Sequence, residues 1–423
     1  MLYEENLKDD IILRNIRDEE DIKNFVAFHK TYNNIFESAT CECLLRYHPS
    51  MTFDDFFLIE DKKSKLIVAT VCLIPWQIRY QGVSLKAAML EMVLTHLDYR
   101  RLGLTRKLID KFSAEVRQRK YDFSIITGIP YYYRQYGYGY GLDLSVYELL
   151  KLQEIPVEKT NTNDTYTVRH AEISDIPKLI SHYNNSMKDT DLYVLRDDNY
   201  WLYLLKQAKF GVYIIEEKPL GPVKGYFIGD GDKGRQQFTI FESAISDCKT
   251  ALSVLQLLRK GIEQEIIIYS HYDDMLVQLA KDLGSTTIKG DQYLLRIHNP
   301  SEFCRTLKPV FEHRLQESEV YDITSSIIIN FFRNAIQIKI SNSKITDILD
   351  MGFVDSSMGA DGGDLCIPPD AFLRLAFGYR NLDQLKDAWP DIVVKSHSRY
   401  LIEVLFPTMS SYIYTPYHYQ GLD

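Results

Sequence analysis

Met92-Val-Leu-Thr-His-Leu-Asp-Tyr-Arg-Arg-Leu-Gly-Leu-Thr-Arg-Lys-Leu108 holds the end of a strand, a basic turn and the start of a helix. Apolar residues run up to Thr95, and Arg100-Arg101-Leu102-Gly103 follow. Leu104, Leu108, Phe112 and Val116 then recur every four residues, the buried stripe of an amphipathic helix. The first turn of a helix carries N–H groups without intrahelical acceptors and the positive end of the dipole. Glycine lets a phosphate approach the backbone, and two arginines add permanent charge and forked donors. The stretch therefore reads as an anion site. It is not a nucleoside-triphosphate loop, because GxxxxGK followed by Ser or Thr is missing.

Around this stretch, strands and helices alternate. Phe56 to Glu60 and Leu66 to Ile74 read as strands joined by a charged turn, Asp61 to Ser64. Ala87 to Thr95 and Tyr121 to Thr127 read as two more. The expected class is α+β with α/β-type mixed sheets, helices packing on a central sheet. A faint repeat links residues 11–34 with residues 166–187. Each starts as an apolar strand ending in Leu13-Arg14 or Val168-Arg169, continues into an amphipathic helix, and closes on Tyr-Asn-Asn (Tyr32 to Asn34; Tyr183 to Asn185). The order of these matches suggests a duplicated domain. The polar stretch Lys159 to Asp164 reads as a linker, and Asn299-Pro300 followed by a helix from Phe303 to Leu315 marks a second boundary. The expected domains are 1–155, 165–300 and 305–423.

A length of 423 residues agrees with two or three domains. The balance of 49 basic and 58 acidic residues gives a net charge of −9, which argues against a general nucleic-acid binder. No apolar run approaches ~18 residues, so no membrane helix is expected. The acidic start lacks an apolar signal core, and a cytoplasmic location is the expectation. Six scattered cysteines lack zinc spacing and read as reduced thiols; no metal is implied. Gly137-x-Gly139-x-Gly141 is not a dinucleotide fingerprint, and Asp361-Gly-Gly-Asp364 offers too few oxygens for an EF-hand loop.

The second informative segment is Phe123-Ser-Ile-Ile-Thr-Gly-Ile-Pro-Tyr-Tyr-Tyr133-Arg-Gln-Tyr-Gly137-Tyr138. Together the two segments resemble the GCN5-related N-acetyltransferases. Arg100-x-x-Gly103-x-Thr105 is similar to that family's motif A, Arg/Gln-x-x-Gly-x-Gly/Ala, with Thr105 as a departure. Its hydroxyl either crowds the phosphates or donates to one. Tyr132, Tyr133 and Gly137-Tyr138 are similar to the family's later aromatic pair and exit. The resemblance implies acetyl-CoA as co-substrate, held by Val93, Leu94, Thr95, Arg100, Arg101, Gly103, Leu104 and Thr105. It places Tyr133 beside the cofactor's sulfur, where a phenol with a reference pKa near ~10 can protonate the leaving thiolate. It also implies direct transfer to an amine held in the same cleft.

The whole chain narrows the resemblance to the Eis (enhanced intracellular survival) branch. Its members join two acyl-CoA N-acyltransferase folds, the second degenerate, to a sterol-carrier-protein-like α+β domain. Phe241-Glu-Ser-Ala-Ile-Ser-Asp-Cys-Lys-Thr250 lacks the Gly and Arg groups of the first loop, so no cofactor is expected there. Asp364-Leu-Cys-Ile-Pro-Pro-Asp-Ala-Phe-Leu-Arg-Leu-Ala-Phe-Gly378 resembles the sterol-carrier pattern of strand, Pro turn, helix and Gly. In that branch the C-terminal tail reaches the first domain and its terminal carboxylate is the proposed base. Leu405 to Tyr419 resembles that tail, but Gln420 to Asp423 extend it by four residues.

Candidate bases are therefore Glu91, on the cofactor strand, the Asp423 carboxylate and His418. His96 reads as structural, and Cys41, Glu42 and Cys43 as weaker site candidates. The expected activity is acetyl transfer to a primary amine of a cationic small molecule or a lysine. The alternative is a non-catalytic acyl-CoA or lipid-binding protein, and the last a multidomain scaffold. Aminoglycosides, polyamines and lysine side chains are acceptors the resemblance suggests. It also implies a homo-oligomer, in some members a hexamer. Neither nucleic acid nor membrane is an expected partner.

Overall fold

The computed structural model describes residues 3–414 except 9, 34, 145, 158–164, 208–209, 219–220, 233–236, 263, 270, 272, 321 and 356–361. The fold is mixed α/β, built on three sheets. The first has ten strands. Its main path runs Glu4–Lys8, Ile11–Asn15, Phe56–Asp61, Leu66–Tyr80, Val83–Thr95, Phe123–Ile126, Gln292–Arg296, Gly139–Asp143. Off this path, Leu192–Val194 pairs with Leu66–Tyr80, and Ser411–Tyr412 pairs with Leu192–Val194. Helices cover both faces. Phe57, Ile59, Val71 and Leu73 pack with Leu104, Leu108 and Phe112 of helix Leu104–Gln118. Their sequence neighbours Leu58, Cys72 and Ile74 pack with Phe25, Phe28 and Leu44 on the other side. That alternation is the period of two that a sheet buried on both faces requires.

Two strands are longer than the sequence suggested. Leu66–Tyr80 runs past Ile74, the expected end, and Pro75 lies opposite Ala88. A two-residue turn, Gln81 at φ 40° and Gly82 at φ 90°, returns the chain into Val83–Thr95. Left-handed backbone at both turn positions is what tight hairpins demand. The helix expected from Phe303 to Leu315 is two helices, Pro300–Thr306 and Lys308–Gln316, because Pro309 restarts the second.

The second sheet has seven strands, and the third has five. Three segments drawn from sequence and three sheets differ at four strands: Leu192–Val194 and Ser411–Tyr412, which join the first sheet, and two that trade places. Val146–Lys151 pairs in the second sheet, between Thr286–Lys289 and Glu265–Ile268. Gln292–Arg296 does the reverse, filling the gap between Phe123–Ile126 and Gly139–Asp143 in the first. The linker Lys159 to Asp164 lies outside the described residues.

The faint repeat has a physical basis. Arg14 makes a two-pronged bond to Asp21 at 2.6 and 2.7 Å and a third bond to Glu60 at 2.7 Å. Arg169 does the same with Asp175 at 2.6 and 3.0 Å and with Glu216. Each arginine also donates to the carbonyl of the residue after it. In both places an arginine at a strand end ties the next helix start to a neighbouring strand.

In the third segment, strand Leu365–Cys366 leads through Pro368 into helix Pro369–Ala376. Gly378 follows at φ 63°, and a Cβ there would lie 2.5 Å from the Met409 amide nitrogen. Close approach of the tail thus requires glycine. Asp364 accepts from Ile328 N and the Ser398 hydroxyl, a structural role. All six cysteines are free. No helix among the described residues is long and apolar enough to cross a membrane.

Candidate active site

Strand Val83–Thr95 positions the site by parting from its neighbour. It pairs in parallel with Phe123–Ile126 only from Ala87 to Met89. From Leu90 to Thr95 it continues without that partner, so a wedge opens between the two strands. On its other edge a bulge interrupts the ladder: Thr70 faces Leu94, but Cys72 faces Glu91. Met92 in the bulge has φ 55°, rare for a residue with a side chain. The bulge bends the strand and widens the wedge.

Past Thr95 the chain makes a short turn. His96 N donates to Val68 O, and Tyr99 hydroxyl donates to Asp61 at 2.6 Å. Arg101 at φ 67° and Gly103 at φ 77° are both left-handed. Helix Leu104–Gln118 starts there. Lys107 N donates to Gly103 O, so the amides of Leu104, Thr105 and Arg106 before it lack intrahelical acceptors. A Cβ at Gly103 would meet nothing within 4 Å, which leaves open space above these amides. Arg100 and Arg101 are exposed, and neither forms an ion pair among the described residues. Amides and dipole thus open to solvent beside two exposed arginines, an arrangement that suits an anion. The Leu104 side chain is buried in the core, so only its backbone faces this site.

Thr105 has a partner within its own turn. Its hydroxyl lies 2.9 Å from that of Thr95 and joins the two ends of the turn. Val93 and Leu94 pack into opposite cores, as successive strand residues must.

At the inner end of the wedge stand Tyr133 and Glu91. Tyr133 is the second residue of the short helix Tyr132–Tyr136, which follows Tyr131 at φ 67°, and is 4% exposed. Its ring lies on Gly128, where a Cβ would come within 2.1 Å of the ring carbon Cδ2. Burial pushes the Tyr133 phenol well above its ordinary pKa of 10.0, and the Glu91 carboxylate adds to the rise. Glu91 accepts from the Thr127 hydroxyl at 3.3 Å. Gly128→Ala should therefore displace the Tyr133 ring. The expected result is a kcat loss on the order of 10²-fold with little change in acyl-CoA affinity. Steady-state kinetics beside calorimetry checks this.

Other candidates fall elsewhere. His96 Nε2 lies 2.7 Å from the Tyr32 hydroxyl, and its Nδ1 accepts from Asp98 N, which fixes the turn. Cys41 and Cys43 are core residues, while Glu42 pairs with Arg46 on the surface. His418 and Asp423 lie outside the described residues. Among the described residues no cluster of His, Cys, Asp or Glu is placed to hold a metal ion.

Residues 13–141 match the acetyltransferase (GNAT) domain. That span contains Glu91, the Arg100 to Thr105 turn and Tyr133. Solved structures share the fold along the whole length. A probable N-acyltransferase from Enterococcus faecalis superposes with TM-score 0.70 at 14% identity, covering 96% of this chain and 100% of its own. A GCN5-related N-acetyltransferase from Anabaena variabilis gives 0.68 at 13% identity, with 95% and 99% covered. Eis1 from Mycobacterium abscessus gives 0.61 at 13% identity, with 96% and 99% covered. No curated protein matches the chain at a significant level.

Two residues that pack on the GNAT-domain sheet were missed because they come from beyond residues 13–141. Tyr293, on the exchanged strand Gln292–Arg296, is fully buried, and its phenol is raised by burial and then by Glu91. Its hydroxyl donates to Ile413 O of the tail at 3.2 Å. His298 lies 2.7 Å from the Ser124 hydroxyl, which donates to Tyr138. Only the strand exchange brings them here, and no local pattern announces it.

The second sheet repeats the order of strand, helix and parallel strand in Gln237–Ile245, Cys248–Arg259 and Glu265–Ile268. Its helix start differs. Asp247 caps it, accepting from Thr250 N, and buried Asp274 accepts from the amides of Ile245 and Leu276. Burial raises the Asp274 carboxyl to about 6. The Asp247 carboxylate thus occupies a helix-start amide of the kind left open after Gly103. A cavity of about 210 Å³ lies between this sheet and the tail, walled by Tyr147, Phe241, Tyr269, Tyr293 and Tyr414. It does not reach the 96–105 turn.

Proposed function

We propose that the chain transfers an acetyl group from acetyl-CoA to a primary amine of a cationic small molecule or a lysine. The observation that carries this reading is the wedge, with an anion site at its mouth and Tyr133 beside Glu91 at its inner end. The pyrophosphate takes the amides of Leu104 to Arg106 and the guanidiniums of Arg100 and Arg101. The pantetheine arm lies along Val93 to Thr95, on the strand edge that Phe123–Ile126 leaves unpaired. The amine attacks the thioester carbon, the C–N bond forms, and the C–S bond breaks. Glu91 accepts the proton the amine gives up, directly or through a water. Tyr133 gives its phenolic proton to the departing sulfur, and the proton on Glu91 restores the phenol. Burial keeps that phenol protonated until it is needed.

The two Arg–Asp–Glu ties support a duplicated acyltransferase fold, and the Asp247 and Asp274 carboxylates support a second copy without cofactor. Titration calorimetry with acetyl-CoA tests the reading. Wild type should bind one equivalent per chain at micromolar affinity, and an Arg101→Ala, Gly103→Glu variant should lose at least about tenfold. No heat of binding in the wild type would exclude the acyl-CoA reading.

A further inference from the structure

We propose that His29 and Thr70 form a strut that aims the Val93 amide into the wedge, making them positioning residues for acyl transfer. This inference rests on the function proposed above. The Thr70 hydroxyl donates to Met92 O at 2.9 Å. His29 Nε2 lies 3.0 Å from the same hydroxyl oxygen. Thr70 has one hydroxyl proton, and Met92 O can only accept. Nε2 therefore carries the imidazole proton and donates to Thr70, which leaves Nδ1 bare. Nδ1 has no hydrogen-bond partner, as that tautomer requires.

The strut is rigid. His29 is 1% exposed and Thr70 is fully buried. Phe25 and Phe28 lie against the imidazole, with ring centroids 5.2 and 5.9 Å away. Burial lowers the His29 pKa to about 3, so the ring stays neutral and keeps its tautomer at any working pH.

Its consequence follows from peptide geometry. Met92 C=O and Val93 N–H belong to one trans peptide and point in opposite directions. Thr70 lies on strand Leu66–Tyr80 and pulls the carbonyl to that side. The Val93 N–H is thereby turned towards the other edge, where Phe123–Ile126 has parted. A thioester lying along that edge would present its carbonyl oxygen to this donor. Negative charge develops on that oxygen as the amine attacks, and a fixed N–H stabilises it. The positive φ of Met92 is the backbone strain that this orientation carries. Sequence alone gives no sign of the strut, because His29, Thr70 and Met92 come from three separate elements.

The test uses the full chain and acetyl-CoA labelled with ¹³C at the thioester carbonyl. In wild type, the carbonyl stretch of the bound cofactor should lie below that of the free one. Thr70→Val should reduce that lowering and cut kcat at least about tenfold, while the KM for acetyl-CoA changes less than about twofold. Thr70→Ser should restore both. If Thr70→Val does not fold, His29→Leu is read the same way, with a smaller effect, because the bond from Thr70 to Met92 remains. A folded Thr70→Val with the wild-type stretch and kcat would overturn the strut while leaving acyl transfer intact. Wild type that binds no acetyl-CoA would remove both. Wild type that binds with a shifted carbonyl but turns over no amine would overturn the positioning role in acyl transfer and leave only a contact to the bound thioester.

Discussion

Tyr133→Phe should lower kcat by about 10² to 10⁴-fold while acetyl-CoA binds as before. The substitution removes one oxygen and its proton and leaves the ring on Gly128, so packing survives. What is lost is the donor to the departing thiolate. The pH dependence separates this role from a steric one. Burial and Glu91 both raise the phenol, so its protonated form persists above the ordinary value of 10.0. A wild-type rate that falls as pH rises through 10 would need another group, and the same limb should remain in the variant. Thiol release followed with an amine panel supplies kcat, and calorimetry supplies affinity. Unchanged turnover in Tyr133→Phe would remove the acid role.

Arg196→Met should be the most damaging change to stability, at about 3–5 kcal/mol. Arg196 and Glu242 form a two-pronged pair at 2.6 and 2.7 Å, with side chains 1% and 2% exposed. Tyr226 donates to the same carboxylate at 2.8 Å. The guanidinium also lies over the Tyr183 ring, 4.2 Å from its centroid. Removing Arg196 alone strands a charged carboxylate in the interior. The position magnifies the effect. Arg196 follows strand Leu192–Val194, which joins the first sheet and the tail strand Ser411–Tyr412. Thermal unfolding should show a large drop for Arg196→Met and a smaller one for Arg196→Met with Glu242→Leu, since the double change leaves no lone charge. Equal drops would mean the pair is not what holds this joint.

The anion site was readable because everything it needs is local. Gly103 supplies a left-handed residue, the apolar stripe from Leu104 supplies the helix, and both lie within a few positions of Arg100. Tyr133 was readable as a motif, and Glu91 as a strand residue of the right parity. Other features depend on atoms from distant segments. Thr105 read as a group that crowds a phosphate or donates to one, and nothing in the chain says that the Thr95 hydroxyl will sit opposite. The bulge was hidden because Met92, which carries a side chain, takes a backbone conformation usual for glycine. The strand read from Leu66 to Ile74 continues to Tyr80, and the sheet carries Pro75 although it lacks an N–H. Tyr293 was invisible as a site neighbour, because it reaches Glu91 through an exchange of strands.

That exchange has a consequence for how the chain is made. Ser124 pairs with Arg296, so the edge of Phe123–Ile126 stays open until the later strand has been synthesised. At about 5–20 residues per second, the nascent chain waits on the order of ten to thirty seconds with that edge exposed. Strand Val146–Lys151 waits likewise for Glu265–Ile268. The two sheets therefore mature together, and neither is a finished unit that can leave the ribosome ahead of the other. Unpaired edges are where chains associate wrongly. Slowing translation between the two strands would lengthen that exposure.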